Sequence, residues 1–305
     1  MVFFNPGTAD SGTRKEAAML RYLVSVLLAL TVVVPLHGEQ EVEQSAIVGL
    51  ARAYVERFID ALSKVVAEER YFQESEWPRR KRTLRSDFIV ARDPGAKRWY
   101  TFREVLELDG TPVQEARGGR LARLMTDPSA AALREAQEIT VAGLRYNVER
   151  IGTVNNPLLA MSFLQAEYSH RFRFTVGGRE KKLGPAVRKV SFEEVHIPTV
   201  LTMEGNRDLP AYGVMWIDQG TGRIVKTELR LGEKPAVSTG PTSSSLGWAP
   251  PTTIATTFGF NEALGIDVPL EMRERYPFQR NEIKGVATYG SFRRLRGQGA
   301  TDMGR

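Results

Sequence analysis

Two periodicities divide the chain. Across residues 42–68, Val48, Ala51, Val55, Phe58, Leu62 and Val65 recur at three-four spacing opposite Arg52, Glu56, Asp60 and Lys64. That pattern predicts one amphipathic helix, about 40 Å long at the rise of an α-helix. Beyond it, period two takes over. Leu84, Ser86, Phe88 and Val90 alternate with Arg85, Asp87 and Ile89, and Tyr100, Phe102, Leu106 and Leu108 share one face of 97–108. Asp93-Pro94-Gly95 and Asp109-Gly110 supply the turns between and after these strands.

A helical interlude interrupts the strands. Asp127 is the expected N-cap and Pro128 the first helical residue of a helix over 130–146. A second, short helix is predicted at 157–166, where Leu158, Leu159, Met161, Phe163 and Leu164 leave hardly a polar position. Such a piece must be buried or cover something apolar. Strands then return: 172–176, 187–197, a hairpin of 212–217 and 223–231 across Asp218-Gln219-Gly220-Thr221-Gly222, then 252–260, 268–276 and 283–295. The Pro/Ser/Gly-rich stretch 234–251 reads as a flexible loop or functional flap, and the tail 297–305 as disordered.

Strands without strand-helix-strand alternation give an α+β fold class. The expectation is a large curved antiparallel sheet of roughly eight to eleven strands in one domain over 39–296. The long N-terminal helix and the helical block are expected to pack on its concave face.

The first 38 residues are read apart from that domain. Arg21 precedes the uncharged run Tyr22–Leu36, which closes at Pro35 and gives way after Gly38 to Glu39-Gln40-Glu41. This is the layout of a secretory signal peptide, with Met19 as the better start and cleavage after Gly38. The run is short for a membrane span, although an uncleaved anchor is the competing reading. The expected location is therefore the periplasm or the exterior.

Composition narrows the chemistry. The net charge is +6 with no cysteine, so neither a disulfide nor an acylated N-terminal thiol is available. Of three histidines, His37 leaves with the leader, and His170 and His196 fall on strand faces shared with phenylalanines, as packed or edge residues. A structural zinc site does not fit that inventory. The basic runs Trp77–Arg82 and Phe292–Arg296 read as solvated surface, the first as a loop, and no nucleic-acid partner is expected. A transient contact with a membrane surface is a further expectation. No nucleophile elbow, metal-protease helix, phosphate loop or dinucleotide fingerprint is present, so no cofactor and no catalytic residue is assigned. Glu193 and Glu194 sit on opposite faces of one strand, and Glu68-Glu69 are read as the exposed end of the first helix.

Aromatic residues are the more suggestive feature, recurring one or two per strand. Phe58, Leu62, Phe88, Phe102, Leu159, Phe163, Phe172, Phe174, Phe192, Trp216 and Phe258 form the candidate ligand-binding set. They either fill a core or line an apolar cavity under the 158–166 lid.

The strand-turn-strand Val214–Glu228, with Trp216-Ile217-Asp218 and Thr221-Gly222 at its centre, is similar to the hairpin of the LolA/LolB-like lipoprotein-carrier superfamily. The ending Ile283–Arg294 looks like the last strand of uncharacterised exported bacterial proteins. The resemblance implies a half-open barrel with helices over its mouth, and binding of an acyl chain or a lipidated partner.

Three readings follow. The first is a non-catalytic periplasmic binder of an apolar small molecule or lipidated protein. The second is a cell-envelope interaction module with a filled core, using exposed strand edges or 234–251. The third, an enzyme, would be revived by buried convergent carboxylates or histidines.

Overall fold

In a computed structural model the described residues are 3–4, 37–93, 95, 98–114, 119–126, 129–149, 153–203, 205–232, 251–278 and 281–295. The strands are β1 (Phe3–Phe4), β2 (Val65–Ser75), β3 (Arg80–Arg92), β4 (Trp99–Leu108), β5 (Thr111–Pro112), β6 (Phe172–Arg179) and β7 (Val187–Glu194). They continue with β8 (Leu201–Met203), β9 (Arg207–Asp208), β10 (Ala211–Asp218), β11 (Ile224–Leu231), β12 (Thr252–Asn261), β13 (Ile266–Phe278) and β14 (Asn281–Arg294). The helices are α1 (His37–Leu62), α2 (Arg120–Thr126), α3 (Ala130–Gly143), α4 (Leu159–Ser162) and α5 (Ala166–Ser169), with a 3₁₀ turn at Leu144–Tyr146.

Eleven strands form one open antiparallel sheet in the order β5-β4-β3-β2-β14-β13-β12-β11-β10-β7-β6. The small sheet β1-β8-β9 stands beside it. The β2–β14 pairing, with Tyr71 opposite Ala287, joins the two ends of the folded chain in mid-sheet. This is the curved α+β sheet that the period-two pattern predicts.

The two faces differ as the alternation requires. The inner face carries the main core: Val65, Ala67, Leu84, Phe88, Val190, Met215, Leu229, Ile254 and Met272 meet Val48, Ala51, Val55, Phe58, Ile59 and Leu62 of α1. Mid-sheet, the outer face is wet and laced with ion pairs. Arg70 meets Glu68 at 3.0 Å and Arg273 meets Glu271 at 2.7 Å, while Arg85 bonds Glu107. Such exposed pairs add little stability each, but they keep that face solvated.

Three expectations change. The first helix ends at Leu62 rather than 68, because period two begins at Val65: Val65, Ala67, Glu69, Tyr71 and Gln73 are buried on β2. The β-branched pair Val65-Val66 suits a strand better than a helix. The basic run is only partly loop, since Arg80, Lys81 and Arg82 open β3, where Lys81 pairs with Glu74 and Arg82 with Asp109. The helical block also divides between the faces. Leu121, Leu124, Ala136 and Ile139 of α2 and α3 pack on the outer face, against Val66, Ile89, Ala91 and Phe102. The chain then rounds the β4 edge, where Thr140 Oγ1 accepts the Arg103 N–H at 3.0 Å, and 147–149 and 153–170 lie on the inner face. Ser129 caps α3, its side chain accepting from Ala132 N–H at 3.2 Å; Asp127 and Pro128 lie outside the described residues. So do most of the expected leader, nearly all of 234–251 and the tail 297–305; α1 begins at His37, two residues ahead of the expected cleavage point.

The hairpin β10–β11 anchors α1 at Gly222, whose φ is +74° and whose Cβ would stand 2.2 Å from the Leu50 carbonyl oxygen. Both the dihedral and the contact demand glycine. Gly222→Ala is expected to lower unfolding free energy by more than about 1 kcal/mol in urea titration.

Candidate functional site

The inner face has an apolar half and a polar half, and both lie under 147–170. In the apolar half, Phe163 stacks on Phe172 (centroids 4.4 Å apart) and leans on Phe192 at 5.8 Å, while Phe58 meets Phe258 edge-on at 6.0 Å. Leu158, Leu159, Ala160, Met161, Phe163 and Leu164 are all buried there. The single predicted helix of 157–166 is instead two short turns, α4 and α5. The backbone and side-chain hydrogen bonds described for 158–164 all stay within residues 156–165. This segment therefore meets the sheet through apolar contact.

Nine of the eleven candidate residues lie together in this core: Phe58, Leu62, Phe88, Leu159, Phe163, Phe172, Phe174, Phe192 and Phe258. Two lie on the outer face. Phe102 packs under α2 and α3, and Trp216 lies beneath the Lys226 ammonium, 4.6 Å from the ring centroid. Trp216 alternates with Met215 and Ile217, which point into the inner core.

The polar half holds what the sequence reading missed. Glu69, read as an exposed helix end, is fully buried on β2, and Glu274 on β13 is 1% exposed. Arg103 of β4, itself buried, lies 3.3 Å from Glu69 and covers the Tyr71 ring at 5.5 Å. Tyr289 donates to Glu69 at 3.1 Å; Tyr71 and Tyr276 donate to Glu274 at 2.5 and 2.7 Å. The covering chain closes the network. Asn155 N–H donates to Glu274 at 2.8 Å and Val154 N–H to the Tyr276 hydroxyl at 2.6 Å. Gln73 receives Val148 N–H at 2.8 Å and donates to Asn147 at 3.1 Å. The Asn155 side chain, oriented by its neighbours, donates to Glu69 at 3.1 Å and accepts from the Arg103 guanidinium. Its backbone sits at φ +41°, a left-handed position that asparagine tolerates better than most residues.

Burial pushes the carboxyls of Glu69 and Glu274 up, against the opposing pull of Arg103 and the tyrosine hydroxyls. The same burial, with the carboxylates alongside, drives Tyr71, Tyr276 and Tyr289 well above the ordinary phenol value. Convergent buried carboxylates are an acid–base arrangement, but chemistry needs access. The two grooves described, about 240 Å³ beside Gly213 and about 300 Å³ between α2 and α3, border neither carboxylate. The polar centre is arranged to hold Asn147, Val148, Val154 and Asn155 on the sheet.

A third polar group lies at the end of β7. Glu194 accepts from Val200 N–H at 2.6 Å with Arg171 at 3.8 Å, and Asp208 accepts from Thr199 N–H at 2.6 Å. Burial raises the Glu194 carboxyl from 4.5 to about 7, opposed by the Val200 N–H and the Arg171 charge. His170 and His196 lie in the loops after α5 and β7 rather than on strand faces; both are exposed, their rings 6.4 Å apart. Among the described residues no group of three or more histidine and carboxylate side chains is arranged to hold a metal ion.

No family model matches the chain, and no curated protein matches it either. Among solved structures it is similar to a DUF1329 family protein from Desulfovibrio piger, at 10% identity and a TM-score of 0.41, covering 85% of this chain and 95% of that one. A putative outer membrane lipoprotein-sorting protein domain from Vibrio parahaemolyticus gives 10% identity and a TM-score of 0.40 over the same shares. The Pseudomonas aeruginosa MucA/MucB complex follows at 9% and 0.22, covering 81% of this chain and 99% of that one. Likeness at this level extends to outline alone.

Two predictions test the polar groups. Arg103→Met leaves Glu69 buried without its cation and is expected to cost about 3–5 kcal/mol, of which Glu69→Met in the same chain restores a large part. Urea unfolding of the two single variants and the double variant measures the coupling. Glu194 sets a pH dependence. Below pH 4.5 it is protonated folded and unfolded alike; between 4.5 and about 7 only the folded state keeps the proton. Its contribution to stability therefore falls as pH rises through that window and stays low above it. Glu194→Gln, which retains the acceptor for Val200, should flatten the melting-temperature profile between about pH 5 and 8 and raise its alkaline end.

Proposed function

We propose that the chain is an exported, non-catalytic protein of the cell envelope that binds an apolar ligand, an acyl chain or a lipidated partner, by letting it replace segment 158–164 on the inner face. The observation that carries this reading is the division of the cover. One end is held to the sheet by the buried polar centre; the other meets an aromatic core through apolar contact. Exchange there breaks no described ion pair.

The magnitudes are comparable. Exposing Leu158, Leu159, Met161, Phe163 and Leu164 costs roughly 7–15 kcal/mol at ~1.5–3 kcal/mol per side chain. Burying a C16 chain returns about 12 kcal/mol at about 0.8 kcal/mol per CH₂. The ligand-facing residues would be Phe58, Leu62, Phe172, Phe174, Phe192 and Phe258, with Leu159 and Phe163 moving aside; Phe88, opposite Arg103 and against Tyr289, borders the polar half instead. Phe102 and Trp216 are left out, being on the other face of the sheet. The leader sequence is what supports an exported location.

A second reading has its own observation. Both described grooves lie on the outer side, and the candidate aromatic residues of the inner face are buried against one another, which suits an interaction module. Native mass spectrometry with solvent extraction, on protein purified from a periplasm, separates the two. The carrier reading expects co-purifying acyl chains, and faster uptake of a fluorescent fatty acid by Phe163→Ala than by the parent. An empty protein that takes up no fatty acid in either form overturns it and leaves the interaction module.

A further inference from the structure

The two edges of the large sheet are treated differently. At one, β4 is followed by the two-residue β5, and α3 packs along it with Thr140 accepting the Arg103 N–H. At the other, β6 is eight residues long and pairs with β7 alone. The Arg171 carbonyl is turned to β7, where it accepts Val195 N–H at 2.9 Å. Alternation therefore turns the backbone groups of Phe172, Phe174 and Val176 away from β7. They have no hydrogen-bond partner among the described residues. Proteins guard such an edge, because a free row of N–H and C=O groups templates another strand.

The charge on this edge says which strand. Arg173 and Arg179 on β6 and Lys181 and Lys182 just after it are exposed, and none has an ion pair among the described residues. Glu180 is already engaged by Lys189 at 3.0 Å. Four like charges along one edge oppose pairing with β6 of a second copy. They favour an acidic strand by the same Coulomb law. The outer-face positions Arg173 and Thr175 would stand opposite alternate residues of an added strand, while its other residues extend the apolar row of Phe172, Phe174 and Val176; past the bulge, Arg179 is level with Arg188 and turns to the other face.

We propose that the β6 edge is a strand-addition site for an extended acidic segment of a partner protein, with acidic residues alternating with apolar ones. This edge borders the apolar inner face, but its open hydrogen-bonding groups and charges do not depend on whether that face takes a lipid.

The test uses the full chain and a fluorescein-labelled peptide of alternating Glu and Val, with an alternating Lys and Val peptide as control. Fluorescence anisotropy is expected to show binding of the acidic peptide alone. Arg173→Glu with Arg179→Glu should weaken it by about tenfold or more, as should Val176→Pro, which removes one outward N–H. Native-state hydrogen exchange should show new protection at the Phe172, Phe174 and Val176 amides when peptide is bound, a readout that works without the proline variant. Binding that responds to the charge reversal but brings no amide protection would reduce the edge to a general polyanion surface and overturn strand addition. A concentration-dependent dimer in sedimentation, lost on Val176→Pro, would assign the edge to a second copy and overturn the acidic partner. Equal binding of both peptides, or of neither, overturns the proposal.

Discussion

The inner face of this sheet contains two carboxylates that water does not reach, and much of the architecture answers to them. An unpaired buried charge is among the most destabilising features a fold can carry. Glu69 and Glu274 are consequently surrounded by Arg103, Tyr71, Tyr276, Tyr289 and the Asn155 main chain, contributed by β2, β4, β13, β14 and the covering segment. β2 and β14 are remote in sequence and adjacent in the sheet, so the network forms only once the two ends of the chain have paired. It is a check on correct assembly. A register slip of one residue on β2 would send Glu69 outward and bring Glu68 or Arg70 into the core.

The same network explains why the cover is not uniform. At Val148, Val154 and Asn155 the chain satisfies sheet side chains with its own amides, and this order is bought with a left-handed asparagine. From 158 onward it offers only hydrocarbon. Hydrogen bonds fix position, since they lose their worth over a fraction of an ångström, whereas apolar contact tolerates sliding and substitution. Hydrogen-bonded and purely apolar parts of one segment thus follow from the amino acids each part presents.

Much of this was legible in the sequence. Period two located β3, β4, β10 and β12 to β14 to within a few residues, and the two-glycine turn marked the β10–β11 hairpin. Nine of the eleven chosen apolar residues proved to share one core, because alternate aromatic positions on neighbouring strands must converge. The failures have a common origin. Val65 continues the helical spacing of α1 while also beginning the strand alternation, so β2 was absorbed into the helix and Glu69 seemed exposed. Phe102 and Trp216 fit the aromatic pattern by type, but alternation puts them on the outer face, Phe102 under α2 and α3 and Trp216 between the inward Met215 and Ile217. The polar centre had no local signature, since its members are dispersed from 69 to 289 and only sheet order brings them together. One signal was available: Asn155-Asn156 ahead of an apolar run marks a point where a covering chain must satisfy something polar.

The ordering of these constraints bears on how such a protein can bind at all. A ligand that entered through the polar half would have to replace at least five hydrogen-bond donors to two carboxylates, which an acyl chain cannot do. On the reading proposed above, an acyl chain would enter in the half where Phe163 stacks on Phe172, which lies toward β6 and β7, away from Arg103. It is also the half that ends in the unprotected, cationic edge. An apolar surface and a charged, hydrogen-bonding edge impose different demands on a partner, hydrocarbon for one and an extended acidic backbone for the other. Both lie toward the β6 end, whereas the opposite end carries the helices that round β4 and the middle of the sheet carries the network that holds the fold in register.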